Sequence, residues 1–216
     1  MKIGVLGTGI VGRTIGTRLV GLGHQVTMGS RTPDNPAAAE WAAGVGAGAS
    51  YGTFADAGAG ADLFFNCTLG TASIDALGAV GADRLGGKVV VDVSNPLDFS
   101  EGMPPSLWVC NTDSLGEQIQ RAFPDALVVK TLNTMNCEVM VDPSRVPGDH
   151  DVFVSGNDGG AKDQVKQLLG SFGWNADRVI DLGDITTSRG PEMYLPLWLE
   201  LYGALGTGTL NIKVVR

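Results

Sequence analysis

At 216 residues, 44% of them hydrophobic and with a formal net charge of −8, the chain holds enough apolar material for one sizeable buried core. The acidic balance argues against a surface built for nucleic acid or anionic lipid, so any phosphate site must be local. Three widely spaced cysteines (Cys67, Cys110, Cys137) and two histidines (His24, His150) form neither a disulfide framework nor a metal-ligand pattern, and the 32 glycines follow no short period.

Met1 leads directly into an apolar strand, with no basic leader before it. No apolar run approaches the roughly 18 residues a membrane helix needs. A cytoplasmic protein without membrane or metal is expected. Lys2–Leu6 reads as a strand buried on both faces. Val11–Leu22 follows at helical period with Ile15, Leu19 and Leu22 on one side, and Gly23 ends it. Gln25–Met28 is a second strand, and Pro36–Ala43 a helix with proline in its first turn. The Gly/Ala-rich stretch 44–61 reads as a surface connection. Asp62–Asn66 and Lys88–Asp92 are further strands. Ser114–Phe123 is a helix with a capping box between Ser114 and Glu117, and Leu127–Thr131 is the next strand. A strand at Asp151–Ser155, a helix at Gly160–Phe172, a strand near Arg178–Asp181 and a helix near Glu192–Tyr202 complete the order, and the run "GTGTLNIKVV" is a candidate edge strand. This alternation predicts a doubly wound (Rossmann) α/β fold with a parallel sheet over residues 1–135, and a small C-terminal α/β extension over 136–216 packed on it.

Gly7-Thr8-Gly9-Ile10-Val11-Gly12 follows a strand and opens a helix, the context in which a glycine pattern signals dinucleotide binding. Gly7 serves the tight turn, Gly9 the approach of a pyrophosphate, and Gly12 the close packing of helix on strand. The phosphates then meet backbone amides and the positive end of the helix. Ser30 stands 18 residues after Gly12, where an acid would bind the ribose 2′-hydroxyl of NAD. Ser30, Arg31 and Thr32 offer instead two hydroxyls and a planar cation, which suit a 2′-phosphate. NADP(H) is the expected cofactor.

In open parallel sheets, ligands lie beyond the carboxyl ends of the strands. Three polar clusters stand there: "NCTLGTAS" with Thr68, "DVSNPLD" with Ser94, Asn95 and Pro96, and "KTLNTMN" with Asn133 and Thr134. Hydride transfer between stacked rings needs no obligatory acid or base, and no catalytic side chain is assigned. His24 reads as structural and His150, between Asp149 and Asp151, as solvated. Lys130, inside a strand just before the cleft, is open between contact with ligand, burial with a partner and a surface position. Tyr194, Leu197, Trp198, Leu201, Tyr202 and Leu205 form an apolar stripe that core packing, a dimer interface or a pocket wall would explain.

The pieces "GVLGTGIVGRTIGTRLVGLGHQVTMGSR", "VVVDVSNPL", "VVKTLNTMN", "VFVSGNDGGAKDQVKQLL" and "LPLWLELYGALGTGTLNIKVV" resemble the NADP oxidoreductases that depend on coenzyme F420, a deazaflavin hydride carrier. They are also similar to the cytoplasmic oxidoreductase domain of six-transmembrane metalloreductases, which "KTLNTMN" resembles more. The resemblance implies that Thr8, Ile10, Val11, Ser30 and Arg31 bind NADPH, with Thr68, Asn95 and Pro96 beside the nicotinamide. It implies further that the cleft at Leu132, Asn133, Thr134 and Met135, with Trp198 of the last helix, receives a deazaflavin (coenzyme F420) or flavin-like partner. The expected function is hydride transfer between NADPH and that partner, in a possible homodimer. An NADPH-dependent imine or carbonyl reductase and a non-catalytic NADPH sensor are the alternatives.

Overall fold

In the computed structural model, which describes residues 1–215, the first half alternates strand and helix as the apolar periods require. In chain order the elements are β1 (Lys2–Leu6), α1 (Ile10–Gly21), β2 (Gln25–Ser30), α2 (Pro36–Val45), β3 (Ala49–Thr53), α3 (Phe54–Gly58), β4 (Leu63–Asn66), α4 (Ser73–Val80), α5 (Ala82–Leu85) and β5 (Val89–Asp92). The two-residue strands β6 (Leu97–Asp98) and β7 (Ser106–Leu107) then form a separate hairpin. The rest comprises α6 (Leu115–Ala122), β8 (Leu127–Thr131), α7 (Cys137–Val141), β9 (Val152–Gly156), α8 (Gly159–Phe172), β10 (Val179–Gly183), α9 (Arg189–Met193) and α10 (Leu195–Leu205).

Eight strands make one sheet in the order β10-β9-β8-β5-β4-β1-β2-β3. All neighbours are parallel except β8 and β9, which pair antiparallel from Thr131 opposite Val154 to Val129 opposite Gly156. The sheet is therefore mostly rather than wholly parallel. The winding reverses between β1 and β4, which opens a crevice at their carboxyl ends. The central strands are buried and apolar up to their last residues because helices cover both faces, with Asn66 and Asp92 closing β4 and β5. One core cluster runs from Ile3, Val5 and Ile15 through Val91 and Val129 to Val154, Leu169 and Trp174, so residues on both sides of position 135 share it. A second cluster on the other face joins Leu6, Phe64, Leu77, Val90, Leu115 and Val128.

Three expectations are corrected. The stretch 44–61 is not a plain surface connection: it ends α2 and contains β3 and α3. The strand hid because it lies at the sheet edge, with only Gly52 buried, and α3 is started by a Thr53–Asp56 capping box. The last helix is two helices, α9 and α10, joined at Tyr194. The run "GTGTLNIKVV" contains no strand, although the Asp151 N–H donates to the Ile212 carbonyl at 2.9 Å. Arg216, the end of the expected extension, lies outside the described residues.

Candidate active site at the carboxyl end of the sheet

The glycine turn is built as its sequence requires. Gly7 holds φ +115°, which a side chain rarely tolerates, and its N–H donates to the Gly29 carbonyl at 3.0 Å, tying the turn to the end of β2. A Cβ on Gly12 would stand 2.1 Å from the Gly7 oxygen, so helix and turn close only on hydrogen. A Cβ on Gly9 meets nothing within 4 Å, so the side from which a phosphate would approach is open. No acidic residue stands in the first turn of α1, whose amides keep their positive potential. Thr8 and Ile10 border the turn, Ile10 exposed, while Val11 packs on the core.

At the end of β2, Ser30 is buried. Its hydroxyl donates to the Thr32 carbonyl at 2.5 Å and receives the Thr32 N–H at 3.3 Å, so it shapes the turn that presents Arg31 and Thr32. Both are exposed, and among the described residues Arg31 forms no ion pair. No carboxylate occupies positions 30–32.

Beneath the polar clusters at the ends of β4, β5 and β8 lies a buried network. Asn66 Nδ2 donates to Asp92 Oδ1 at 2.8 Å and Ser73 Oγ at 3.0 Å, and the Thr68 hydroxyl donates to Asn66 Oδ1 at 2.7 Å. Ser94 donates its hydroxyl to Asp92 Oδ1 at 2.6 Å. Lys130 is buried and reaches Asp92 Oδ2 at 2.8 Å, the Ser94 carbonyl at 2.6 Å and Glu192 Oε1 at 2.8 Å. Burial by itself would lower the Lys130 ammonium, but the Asp92 and Glu192 charges outweigh it and hold the group above its ordinary value. Lys130 is thus buried with partners. Asn66, Asp92 and Glu192 escaped the sequence reading. Their signal was a polar residue closing an apolar strand in "LFFN" and "VVVD", whereas nothing in the sequence joins Glu192 to them.

Above this network, Asn95 and Asn133 bind each other across the ends of β5 and β8. Leu132 takes φ +63°, uncommon for a branched side chain, and is buried in the core with Met135. Thr134 is 2% exposed, and its hydroxyl has no partner among the described residues. The Trp198 indole nitrogen and the Tyr194 hydroxyl are likewise enclosed without a partner among the described residues, and burial raises Tyr194 above the usual phenol. Buried polar atoms of this kind call for an explanation, and a bound ligand is one. Trp198 stacks on Tyr202 with ring centres 5.6 Å apart. A Cβ on Gly208 would be 2.9 Å from the Asn136 amide and 3.6 Å from the Tyr202 ring, so α10 and the segment after it lie beside the loop that carries Thr134. Only Leu195 of α10 is buried, while Leu197, Tyr202 and Leu205 are exposed. Core packing therefore does not account for the stripe.

His24 lies near the surface with Nδ1 3.3 Å from the N-terminal amine; its partial burial, then that charge, lowers it. His150 is not solvated. It is buried edge-on against Trp174, bonded through Nε2 to the Pro143 carbonyl at 2.9 Å and through Nδ1 to Asn211 at 2.8 Å. A 590 Å³ pocket between α1 and α2 shares Ile10 alone with the expected nucleotide residues, so it is a different place. Among the described residues no group of three His, Cys, Asp or Glu could hold a metal ion, and no helix is long and apolar enough to cross a membrane.

Residues 2–96 match the family model described as NADP oxidoreductase, coenzyme F420-dependent. The structure of a proposed F420-dependent NADP-reductase from Arthrobacter sp. FB24 is 56% identical, with a TM-score of 0.95 over the full length of both chains. The rat (Rattus norvegicus) metalloreductase STEAP3 is 28% identical over 201 residues, 91% of this chain. This chain spans 38% of that curated relative's length. A reductive aminase from Aspergillus terreus, solved in complex with NADPH and ethyl levulinate, shares the fold at 18% identity and a TM-score of 0.64, over 95% of this chain and 62% of its own.

Proposed function

The chain belongs to the coenzyme F420-dependent NADP oxidoreductases, and from that premise we propose that it passes a hydride between NADPH and a flat deazaflavin or flavin-like acceptor. That it is an NADP-dependent oxidoreductase follows from the family. The proposal concerns the acceptor and the residues. The amides of Gly7–Gly12, chiefly Thr8, Gly9, Ile10 and Val11, would hold the pyrophosphate, and Ser30, Arg31 and Thr32 would receive the 2′-phosphate. Thr68, Ser94, Asn95 and Pro96 support the nicotinamide half, while Leu132, Asn133, Thr134, Met135 and Trp198 bound the place of the acceptor.

When bound, the nicotinamide supplies or takes the hydride. The chain's own task is to hold two rings face to face and keep water out. The buried network beneath the strand ends makes the floor rigid, and the Asn95–Asn133 clasp fixes its rim. No side chain is needed to move a proton. The observation that carries the acceptor reading is the buried Thr134 hydroxyl, which has no partner among the described residues at the end of β8 and suits the polar edge of a ring. The exposed apolar side chains of α10 support a homodimer, and a cytoplasmic setting belongs to the same proposal. The test is to follow NADPH oxidation with coenzyme F420, a flavin, and small imines or ketones. Turnover with a ring acceptor supports the reading; turnover with imines or ketones alone overturns it in favour of an imine or carbonyl reductase.

A further inference from the structure

The Lys130 ammonium has three protons, and each finds one acceptor: Asp92 Oδ2, the Ser94 carbonyl and Glu192 Oε1. These acceptors come from three parts of the fold. Asp92 closes β5, Ser94 begins the shelf proposed for the nicotinamide, and Glu192 lies in α9. Ser94 is held at every polar atom it has, since its N–H and hydroxyl go to Asp92 and its carbonyl to Lys130. Glu192 also receives the N–H groups of Leu115 at 2.8 Å and Gly116 at 2.9 Å, which fastens the start of α6 to the same carboxylate. From Glu192 the chain runs through Tyr194 into α10, where the backbone N–H of Trp198 donates to the Tyr194 carbonyl at 3.1 Å. One cation therefore links the shelf to α9, from which the chain continues into the helix that carries Trp198.

We infer that Lys130 is a positioning residue for hydride transfer: with Glu192 it fixes the Ser94–Pro96 shelf relative to α9 and α10, and so the spacing between the nicotinamide and its acceptor. The inference rests on the acceptor reading above. It has a physical motive beyond stability, because a buried ion pair seldom stabilises a core more than apolar packing would. What an ion cluster adds is direction, and ring-to-ring transfer is sensitive to displacements of about 1 Å, which can cost on the order of a hundredfold in rate.

The variant Glu192→Gln tests it, because it keeps the size of the side chain and leaves Lys130 paired with Asp92, stranding no charge, at the cost of the acceptor for the Leu115 N–H. Three quantities are measured on the folded protein: affinity for adenosine 2′,5′-bisphosphate, affinity for NADPH, and the single-turnover rate of NADPH oxidation. We expect bisphosphate binding within about twofold of wild type, because that fragment never reaches the shelf. We also expect a rate lower by about tenfold or more, and a reduced ratio of NADPH to bisphosphate affinity. Glu192→Asp, which keeps the charge but shortens the link, gives the same split and decides the matter if Glu192→Gln does not fold. An unchanged rate and affinity ratio in a folded variant overturns the inference and leaves the cluster purely structural. The affinity ratio needs no acceptor. If wild type oxidises NADPH with no ring compound, the acceptor reading falls while the ratio still judges Lys130.

Discussion

Asn133 donates its side-chain amide to Asn95 Oδ1 at 2.9 Å, and Asn95 returns the bond to the Asn133 carbonyl at 3.0 Å. The pair closes the gap between the ends of β5 and β8 at the point where the proposed nicotinamide and acceptor meet. Asn95→Ala leaves the buried Asn133 amide unpaired, so it should destabilise the protein by about 1–3 kcal/mol. It should also slow NADPH oxidation while leaving adenosine 2′,5′-bisphosphate affinity near wild type. Denaturant unfolding and titration on one preparation check both effects.

Arg31 is exposed and forms no ion pair among the described residues, beside a turn that lacks a carboxylate. Arg31→Ala should weaken NADPH by about 1.5–3 kcal/mol, the range of a charged hydrogen bond, and leave NADH nearly unchanged. Equal loss for both nucleotides would show that Arg31 has no part in reading the 2′-phosphate.

The turn glycines should separate fold from binding. Gly9→Ala places its methyl in open space, so the circular dichroism and melting temperature should hold while nucleotide affinity collapses. Gly12→Ala drives a methyl against the Gly7 carbonyl and should unfold or distort the turn itself. Retained affinity in Gly9→Ala would move the phosphates elsewhere.

Acid stability should carry the mark of Asp113. Its hydrogen bonds from Arg121, at 3.0 and 2.8 Å, hold it down at about 2 against partial burial, with help from Gln118. A carboxylate depressed in the folded state stabilises above its ordinary value near ~4, and that contribution fades as pH falls toward the folded value. Asp113→Asn should therefore remove part of the loss of melting temperature between about pH 4 and pH 2. The effect should be small, because the Arg121 partner is largely exposed. An identical acid profile in the variant would contradict the pairing.

Much of the frame was legible because its signals are local. The turn from Gly7 to Gly12 sits between two apolar runs, and Ser114 with Glu117 marks the start of α6. What escaped is what depends on partners distant in sequence. The reversal of β9 against β8 leaves no trace in "VFVSG", which would look the same in either direction. The helices α4 and α5 carry little periodic signal, because Gly78 interrupts the first and Gly81 and Gly86 bound the four-residue second. In the candidate site, Thr68, Asn95 and Thr134 stand out as polar residues after strands. The fate of the Lys130 ammonium depended on Glu192, from another element altogether. His150 looked solvated between two aspartates until Trp174 and Asn211 closed over it.

The central claim is that a ring acceptor binds against the loop at the end of β8, and Thr134→Val tests it most directly. The hydroxyl is buried and has no partner among the described residues, so its removal should leave stability unchanged or raise it by up to about 1 kcal/mol. If the hydroxyl bonds the acceptor, the same change should raise the KM for coenzyme F420 or a flavin about tenfold, with NADPH affinity unaltered. Melting, NADPH titration and steady-state oxidation of NADPH on one preparation give all three values. A stable variant with weakened acceptor and intact nucleotide binding is the predicted result; an unchanged acceptor KM would contradict this placement of the second substrate.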